Sequence, residues 1–187
     1  EIAKLLQGFE VKIIACRRDP SKTTNTQKEL VNKVLSQNAL EYFLKQIDIL
    51  ISSLPLTDAT KGFLSQKEFD LMKDGIVIVN VGRGNTIDEE AFYQAIKNKK
   101  IYAAGLDPQW NYPSRSSNGN EKEKNQKRDY PSNYPIHEFD NVVLSPHRAA
   151  DLKQGYARAH WEDVIENIMR IYKGEEPLNL IDLEKGY

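Results

Sequence analysis

Ile76-Val77-Ile78-Val79-Asn80-Val81-Gly82-Arg83-Gly84 is the stretch around which the chain is organised. Its apolar run is rich in β-branched residues, is entered from Gly75 and is broken only by Asn80. Such a run reads as a strand buried on both faces. It stops at Gly82-Arg83-Gly84, where two glycines permit a sharp turn and close approach of a ligand. An Arg at the carboxyl end of a buried strand lies in the ligand crevice of an open α/β sheet, and its planar fork suits a carboxylate or phosphate. A plain ion pair with a nearby acid would use the same residue.

The segments that follow extend the pattern. Asp88 is placed to cap a helix whose apolar positions are Ala91, Phe92, Ala95 and Ile96. Ile101-Tyr102-Ala103-Ala104-Gly105-Leu106-Asp107 is a second buried strand ending in an acid. Strand, Gly-Arg-Gly, helix, strand and acid form a βαβ unit with its polar groups at the strand ends.

Asn80-Val81-Gly82-Arg83-Gly84, Asp88-Glu89-Glu90-Ala91 and Ala104-Gly105-Leu106-Asp107 resemble the cofactor-domain signature of the D-2-hydroxyacid dehydrogenases. Leu54-Pro55-Leu56-Thr57 upstream and Ser145-Pro146-His147 downstream fall in the family's order. The resemblance implies an α/β fold with a Rossmann-type doubly wound parallel sheet. It implies an oxidoreductase of the glyoxylate or hydroxypyruvate reductase type, moving hydride between NAD(P)H and a small 2-oxo acid. It also implies a cytoplasmic enzyme that is a homodimer when full length.

The chain opens inside an element. Glu1 to Leu6 is helical in pattern and ends at Gly8, and Val11 to Cys16 is a strand broken by Arg17-Arg18-Asp19-Pro20. In a dinucleotide fold these are helix A and strand 2, so the first strand and its G-x-G-x-x-G loop are expected before Glu1. The fold is therefore expected to be truncated before helix A, in a fragment of a longer protein. The dinucleotide-binding domain is expected over 1–149, and a crossover helix with a C-terminal tail belonging to the substrate lobe over 150–187.

At the end of strand 2 an acid favours NAD, and an Arg accommodates the 2′-phosphate of NADP. Arg17 and Arg18 stand there, which points to NADP; Asp19 in the acid's role would point to NAD. Ser21 to Leu44, polar and then amphipathic, reads as one helix or two short ones, and Ile47 to Ile51 as strand 3. By resemblance Leu54, Pro55 and Thr60 line the cofactor site, as do Val81, Gly82, Arg83, Asp107 and His147. Ser65 and Glu68 form a capping box for a helix closed by Gly75.

Asn111 to Asn133 holds no aliphatic residue and carries the run Glu121-Lys122-Glu123-Lys124. It reads as an insertion loop, about 111–135, mobile at a tip of Ser116–Arg128 and stapled on its return by Tyr130-Pro131 and Tyr134-Pro135. Asn141 to Ser145 is the last strand. A helix from about Asp151 to Lys173 follows, with a stripe of Trp161, Val164, Ile165, Ile168, Met169 and Tyr172.

Reduction of a 2-oxo acid needs a cation for the substrate carboxylate, a proton donor at the carbonyl oxygen and an aimed hydride. Arg83 fits the first requirement. His147 fits the second, because an imidazole exchanges its proton near neutrality. His137 and His160 lack such a context and read as structural or solvated. In the family a Glu five residues past the G-L-D acid pairs with this His. Counting from Asp107 gives Tyr112, which can hydrogen-bond but carries no charge. Gln109 and Glu138 are the other candidates for that partner.

The composition bounds the rest. The 187 residues are 40% hydrophobic and 28% charged, ordinary for a soluble protein, and suffice for one core. A net charge of −1 implies no basic face, which speaks against nucleic acid as a partner. The single Cys16 excludes an internal disulfide and fits a reducing compartment. No run approaches a membrane span, and the His and Cys lack metal-ligand spacing. Two competing functions use the same domain. One is a non-catalytic, corepressor-like dinucleotide sensor, which the Tyr112 departure favours and the Arg83/His147 pair disfavours. The other is an adenosylhomocysteine-type hydrolase, which the Arg-Gly and Pro-His motifs disfavour.

Overall fold

The computed structural model describes residues 1–112, 131–148 and 156–181. In order they form α1 (Ile2–Leu5), β1 (Ile14–Arg17), α2 (Asn25–Glu29), β2 (Lys33–Ser36), α3 (Leu40–Gln46) and β3 (Ile49–Ser52). Then come α4 (Gln66–Leu71), β4 (Ile76–Asn80), α5 (Glu89–Lys97), β5 (Ile101–Leu106), β6 (Val142–Leu144) and α6 (Tyr156–Tyr172). All ladders are parallel, as a Rossmann-type α/β fold requires. They form two sheets, a ribbon β1-β2 and a four-stranded sheet β3-β4-β5-β6.

The helices that support β4 start and stop where local chemistry dictates. Ser65 and Glu68 make the expected capping box of α4. Asp88 accepts from Ala91 N at 2.8 Å to begin α5, and the acidic first turn and Lys97 in the last complement the helix dipole. Gly75 takes φ +79 between α4 and β4, a value favouring glycine. Ala91, Phe92, Ala95 and Ile96 are all buried, as their spacing predicts.

The core lies on one face of the larger sheet. Leu44, Phe69, Ile78, Phe92 and Ile136 are fully buried there, with the Phe69 and Phe92 rings edge to face at 6.3 Å. The other face differs from expectation. Val77 and Val79 of β4 are only half-buried, and Ile49 and Val143 in neighbouring strands on that face are 54% and 69% exposed. Beside β4 the helices α3, α4 and α5 pack on one side, so its burial alternates instead of running through both faces.

The segment Ser21 to Leu44 is not one helix or two. It holds α2, then strand β2, then α3. Leu30, Val31, Val34 and Leu35 fit a helical period, which hid a strand of four residues. Tertiary pairing decides the matter: Asn32 N donates to Ile13 O at 2.8 Å, Asn32 Oδ1 accepts from Ile13 N at 2.7 Å, and the β1-β2 ladder begins at Ile14–Lys33. The first strand also starts later than expected, at Ile14 instead of Val11.

The expected loop tip, 116–128, and the expected start of the long helix at Asp151 lie outside the described residues. The return of the loop is held. Glu89 accepts from Ser132 Oγ and Asn133 N, each at 2.6 Å, and Tyr134 stacks on Tyr93 at 5.0 Å. Helix α6 carries its apolar stripe exposed, with Trp161 at 62% and Tyr172 at 85%. The start of the tail is tied to α6, because Asn167 Oδ1 accepts from Leu178 N at 2.6 Å and Arg170 Nε donates to Glu176 O at 2.7 Å. No helix among the described residues is long and apolar enough to cross a membrane.

Candidate active site at the carboxyl edge

Every strand delivers a polar residue at its carboxyl end. Arg17 ends β1, Ser36 ends β2, Ser52 ends β3 and Asn80 ends β4, while Asp107 and Ser145 stand one residue past β5 and β6. Within each sheet the parallel strands point their carboxyl ends one way, so each sheet gathers its polar residues at one edge.

The Arg83 loop is built by its neighbours. Buried Asn80, the one polar residue of the β4 run, accepts from Gly82 N at 3.0 Å through Oδ1 and donates to Arg83 O at 3.1 Å through Nδ2. Thr86 Oγ1 donates to the same carbonyl at 2.6 Å. The Arg83 side chain is exposed and donates to Gly82 O at 2.8 Å. The two glycines are required for close approach of protein backbone. A Cβ on Gly82 would stand 2.5 Å from Leu54 O, and one on Gly84 would overlap the Gln109 carbonyl. Gly-Arg-Gly is thus clamped between the loops after β3 and β5, and Arg83 projects from the clamp.

His147 is held by a second set of contacts. Its backbone takes φ +58, a left-handed conformation that costs a non-glycine residue about 1 kcal/mol. The turn is moored to buried Asp107, whose Oδ1 accepts from Ser145 Oγ and, at 2.8 Å, from Arg148 N. Ser145 N also donates to Leu106 O at 3.0 Å, extending the β5-β6 ladder. Tyr112 Oη lies 2.9 Å from His147 Nδ1, with the rings 5.5 Å apart. Of the three residues considered as partner of His147, Tyr112 makes this contact. Gln109 N donates to the same hydroxyl at 2.9 Å, while its side-chain Nε2 points to Ser145 O at 3.5 Å. Glu138 sits in the short turn Ile136–Glu138 before β6.

Gln109 therefore joins the two halves of the site. Its backbone presses on Gly84 on one side and supports Tyr112, and through it His147, on the other. Sequence reasoning assigned no role to Asn80 or Thr86. Asn80 was detectable as the lone polar residue in an apolar strand. Thr86 carried no such signal.

The cofactor-side residues come from both sheets. Arg17 is half-buried and its Nη1 donates to buried Thr23 Oγ1 at 3.2 Å, which fixes the guanidinium at the end of β1. Arg18 beside it is exposed. Asp19 is engaged in its own turn: the Ser21 hydroxyl at 2.6 Å and the Ser21 N–H at 3.0 Å hold its carboxyl below the ordinary range. Leu54 is half-buried, and Pro55 and Val81 are exposed. The Thr60 hydroxyl ties its own loop, donating to Pro55 O at 2.6 Å and accepting from Thr57 N at 2.8 Å. Ser52 Oγ is buried at the end of β3 without a hydrogen-bond partner among the described residues. The Arg17 guanidinium and the orphaned Ser52 hydroxyl, each at a strand end, fit polar groups of a dinucleotide.

Known proteins resemble this chain in sequence and in fold. A hydroxypyruvate reductase of Thermotoga maritima is 34% identical over 174 residues, 92% of this chain and 48% of that protein. A glyoxylate reductase of Aeropyrum pernix is 32% identical over 183 residues, again 48% of its length. The chain thus spans about half the length of the curated relatives it matches. Among solved structures, a D-isomer specific 2-hydroxyacid dehydrogenase of Xanthobacter autotrophicus Py2, in complex with NADPH and MES, superposes with a TM-score of 0.74 at 26% identity. That match covers 99% of this chain and 51% of the other. The family model described as D-isomer specific 2-hydroxyacid dehydrogenase, NAD binding domain, matches residues 1–149, and the chain belongs to that family.

Proposed function

We propose that the full-length protein reduces a small 2-oxo acid of the glyoxylate or hydroxypyruvate type to the D-2-hydroxy acid, using NADPH, with NADH as the weaker alternative. What carries the proposal is the joint clamping of Arg83 and His147 on Gln109: one fixed cation and one imidazole sit on a shared support at the carboxyl edge. The bound nicotinamide would supply the hydride. Arg83 would take the substrate carboxylate in its planar fork, which orients the neighbouring carbonyl. His147 would give a proton to the carbonyl oxygen as hydride reaches the carbon, so that one hydride and one proton convert the oxo acid to the hydroxy acid. Asp107 would hold the His147 turn, and its carboxylate would meet the nicotinamide end of the cofactor. Arg17 and Arg18 would face the 2′-phosphate, with Leu54, Pro55, Thr60, Val81 and Gly82 lining the rest of the site. The domain would comprise residues 1–149, followed by a crossover into the substrate lobe, in a cytoplasmic homodimer.

The test is steady-state turnover of glyoxylate and hydroxypyruvate with NADPH by the full-length protein and its Arg83→Lys variant. Turnover is expected in the parent. The variant should lose roughly a hundredfold in kcat/KM, because the charge stays and the bidentate fork goes. No turnover of either acid by the parent would return the non-catalytic dinucleotide sensor as the better account.

A further inference from the structure

Nδ1 of His147 faces a phenol instead of a carboxylate, and the phenol is itself constrained. We propose that Tyr112, held by the Gln109 backbone N–H, is a positioning residue that fixes which nitrogen of His147 carries the proton. This rests on His147 as the proton donor of the proposed reduction.

A backbone N–H can only donate, so the contact from Gln109 N at 2.9 Å occupies one lone pair of Tyr112 Oη. The hydroxyl has one hydrogen to give. Among the described residues His147 Nδ1, 2.9 Å away, is the protein acceptor beside it, water at the exposed side being the alternative, and the two rings lie tilted at 5.5 Å. With the phenol donating, Nδ1 of the neutral ring accepts and the proton resides on Nε2, the nitrogen away from Tyr112. A carboxylate at this position would do the reverse. It can only accept, so it would draw the proton of the neutral ring to Nδ1 and leave Nε2 bare.

The phenol also serves the charged ring. On protonation Nδ1–H turns to the second lone pair of Oη, and the phenolic hydrogen swings to solvent. Tyr112 is 46% exposed, so water is available to receive it. Both protonation states keep a hydrogen bond at Nδ1, and neither requires His147 to leave its moored turn. Nε2 of the charged ring, on the side away from Tyr112, would deliver the proton; this leaves Nδ1–H bonded to Oη, and the ring returns to its resting Nε2–H form when Nε2 regains a proton and Nδ1 gives its own up through the hydroxyl to water.

The experiment is ¹⁵N–¹H correlation spectroscopy on the full-length protein with ¹⁵N-labelled histidine, at alkaline pH where the ring is neutral. The His147 signals are assigned by their loss in His147→Gln, which separates them from His137 and His160. In the parent, Nε2 should carry the hydrogen and Nδ1 should resonate as a bare nitrogen. Tyr112→Phe, which keeps the ring contact and deletes the hydroxyl, should move the two nitrogens toward a tautomer average. Tyr112→Glu should invert them, placing the hydrogen on Nδ1. A parent with the hydrogen on Nδ1, or a Tyr112→Phe spectrum identical to the parent's, overturns the proposal. The readout is independent of turnover: an inactive parent with the Nε2–H form would fail the proposed reduction alone.

Discussion

The four-stranded sheet and the β1-β2 ribbon are built from the same parallel strands but differ in what covers them. In the larger sheet Leu50, Ile78, Ala104 and Leu106 are buried under α3, α4 and α5. In the ribbon every strand residue is half-buried or exposed, and Ile14, Cys16 and Leu35 only pack against the edge of the core. Helix α3 touches both strands of the ribbon and joins it to the core. The site divides along the same line. The four-stranded sheet carries Arg83 and His147, which act on the substrate in the proposed reaction, and the ribbon carries Arg17, which would choose the cofactor. Within this chain the residues proposed to act on the substrate stand on the more buried sheet, and those proposed to choose the cofactor on the more exposed one.

Matched truncations give the largest effect that could break this contrast. Phe92→Ala removes a fully buried ring that contacts Phe69 and Trp110, and should cost about 3–5 kcal/mol. Leu35→Ala, at a half-buried ribbon position, should cost about 1 kcal/mol. Urea unfolding of the full-length protein measures both. Equal costs would mean that the ribbon is as much a part of the core as α5 is.

Cofactor choice comes next in size. Arg17→Asp replaces a guanidinium fixed by Thr23 with an acid. A charge-assisted hydrogen bond contributes about 1.5–3 kcal/mol, so affinity for NADPH should fall roughly 10- to 100-fold. Affinity for NADH should hold or rise, and kcat at saturating NADH should stay near the parent's, because the substrate-side groups stand on the other sheet. Fluorescence titration with both dinucleotides checks this. A matching loss of both affinities would assign Arg17 to the stability of the ribbon instead of to the 2′-phosphate.

The same division explains what the sequence made legible. In the four-stranded sheet, pattern and local chemistry agree. The apolar run of β4, the Asp88 cap and the stripe Ala91-Phe92-Ala95-Ile96 all read directly, and the Tyr112–His147 contact was one of three that the family motif left open. In the ribbon they conflict. Val34 and Leu35 sit at helical spacing from Leu30 and Val31, and only pairing with β1 makes them a strand. The uncovered face of β4 was hidden for a related reason: a continuous apolar run does not reveal whether a helix packs on each side. Gly82 and Gly84 were legible as necessary but not as to why, since the backbones they accommodate come from the loops after β3 and β5.

The smallest effect is also the most selective test, and it uses Cys16. This thiol lies in β1, half-buried, with Sγ 3.6 Å from Ser36 O across the ladder. Burial pushes it above the ordinary thiol range, because the thiolate loses solvation. The thiolate is the reactive form, so labelling in the folded protein should be slower than in the unfolded chain, and should keep rising with pH after an ordinary thiol has levelled off. The route to reaction then separates the two halves. If the ribbon opens on its own, labelling proceeds from that local opening and ignores the stability of the core. Ile78→Val, in fully buried β4, should cost about 1 kcal/mol and would speed labelling about fivefold if opening were global. The expected result is an unchanged rate in Ile78→Val and a faster one in Leu35→Ala. Acceleration by Ile78→Val to the full extent of its stability loss would join ribbon and sheet into one cooperative unit and end the distinction between them.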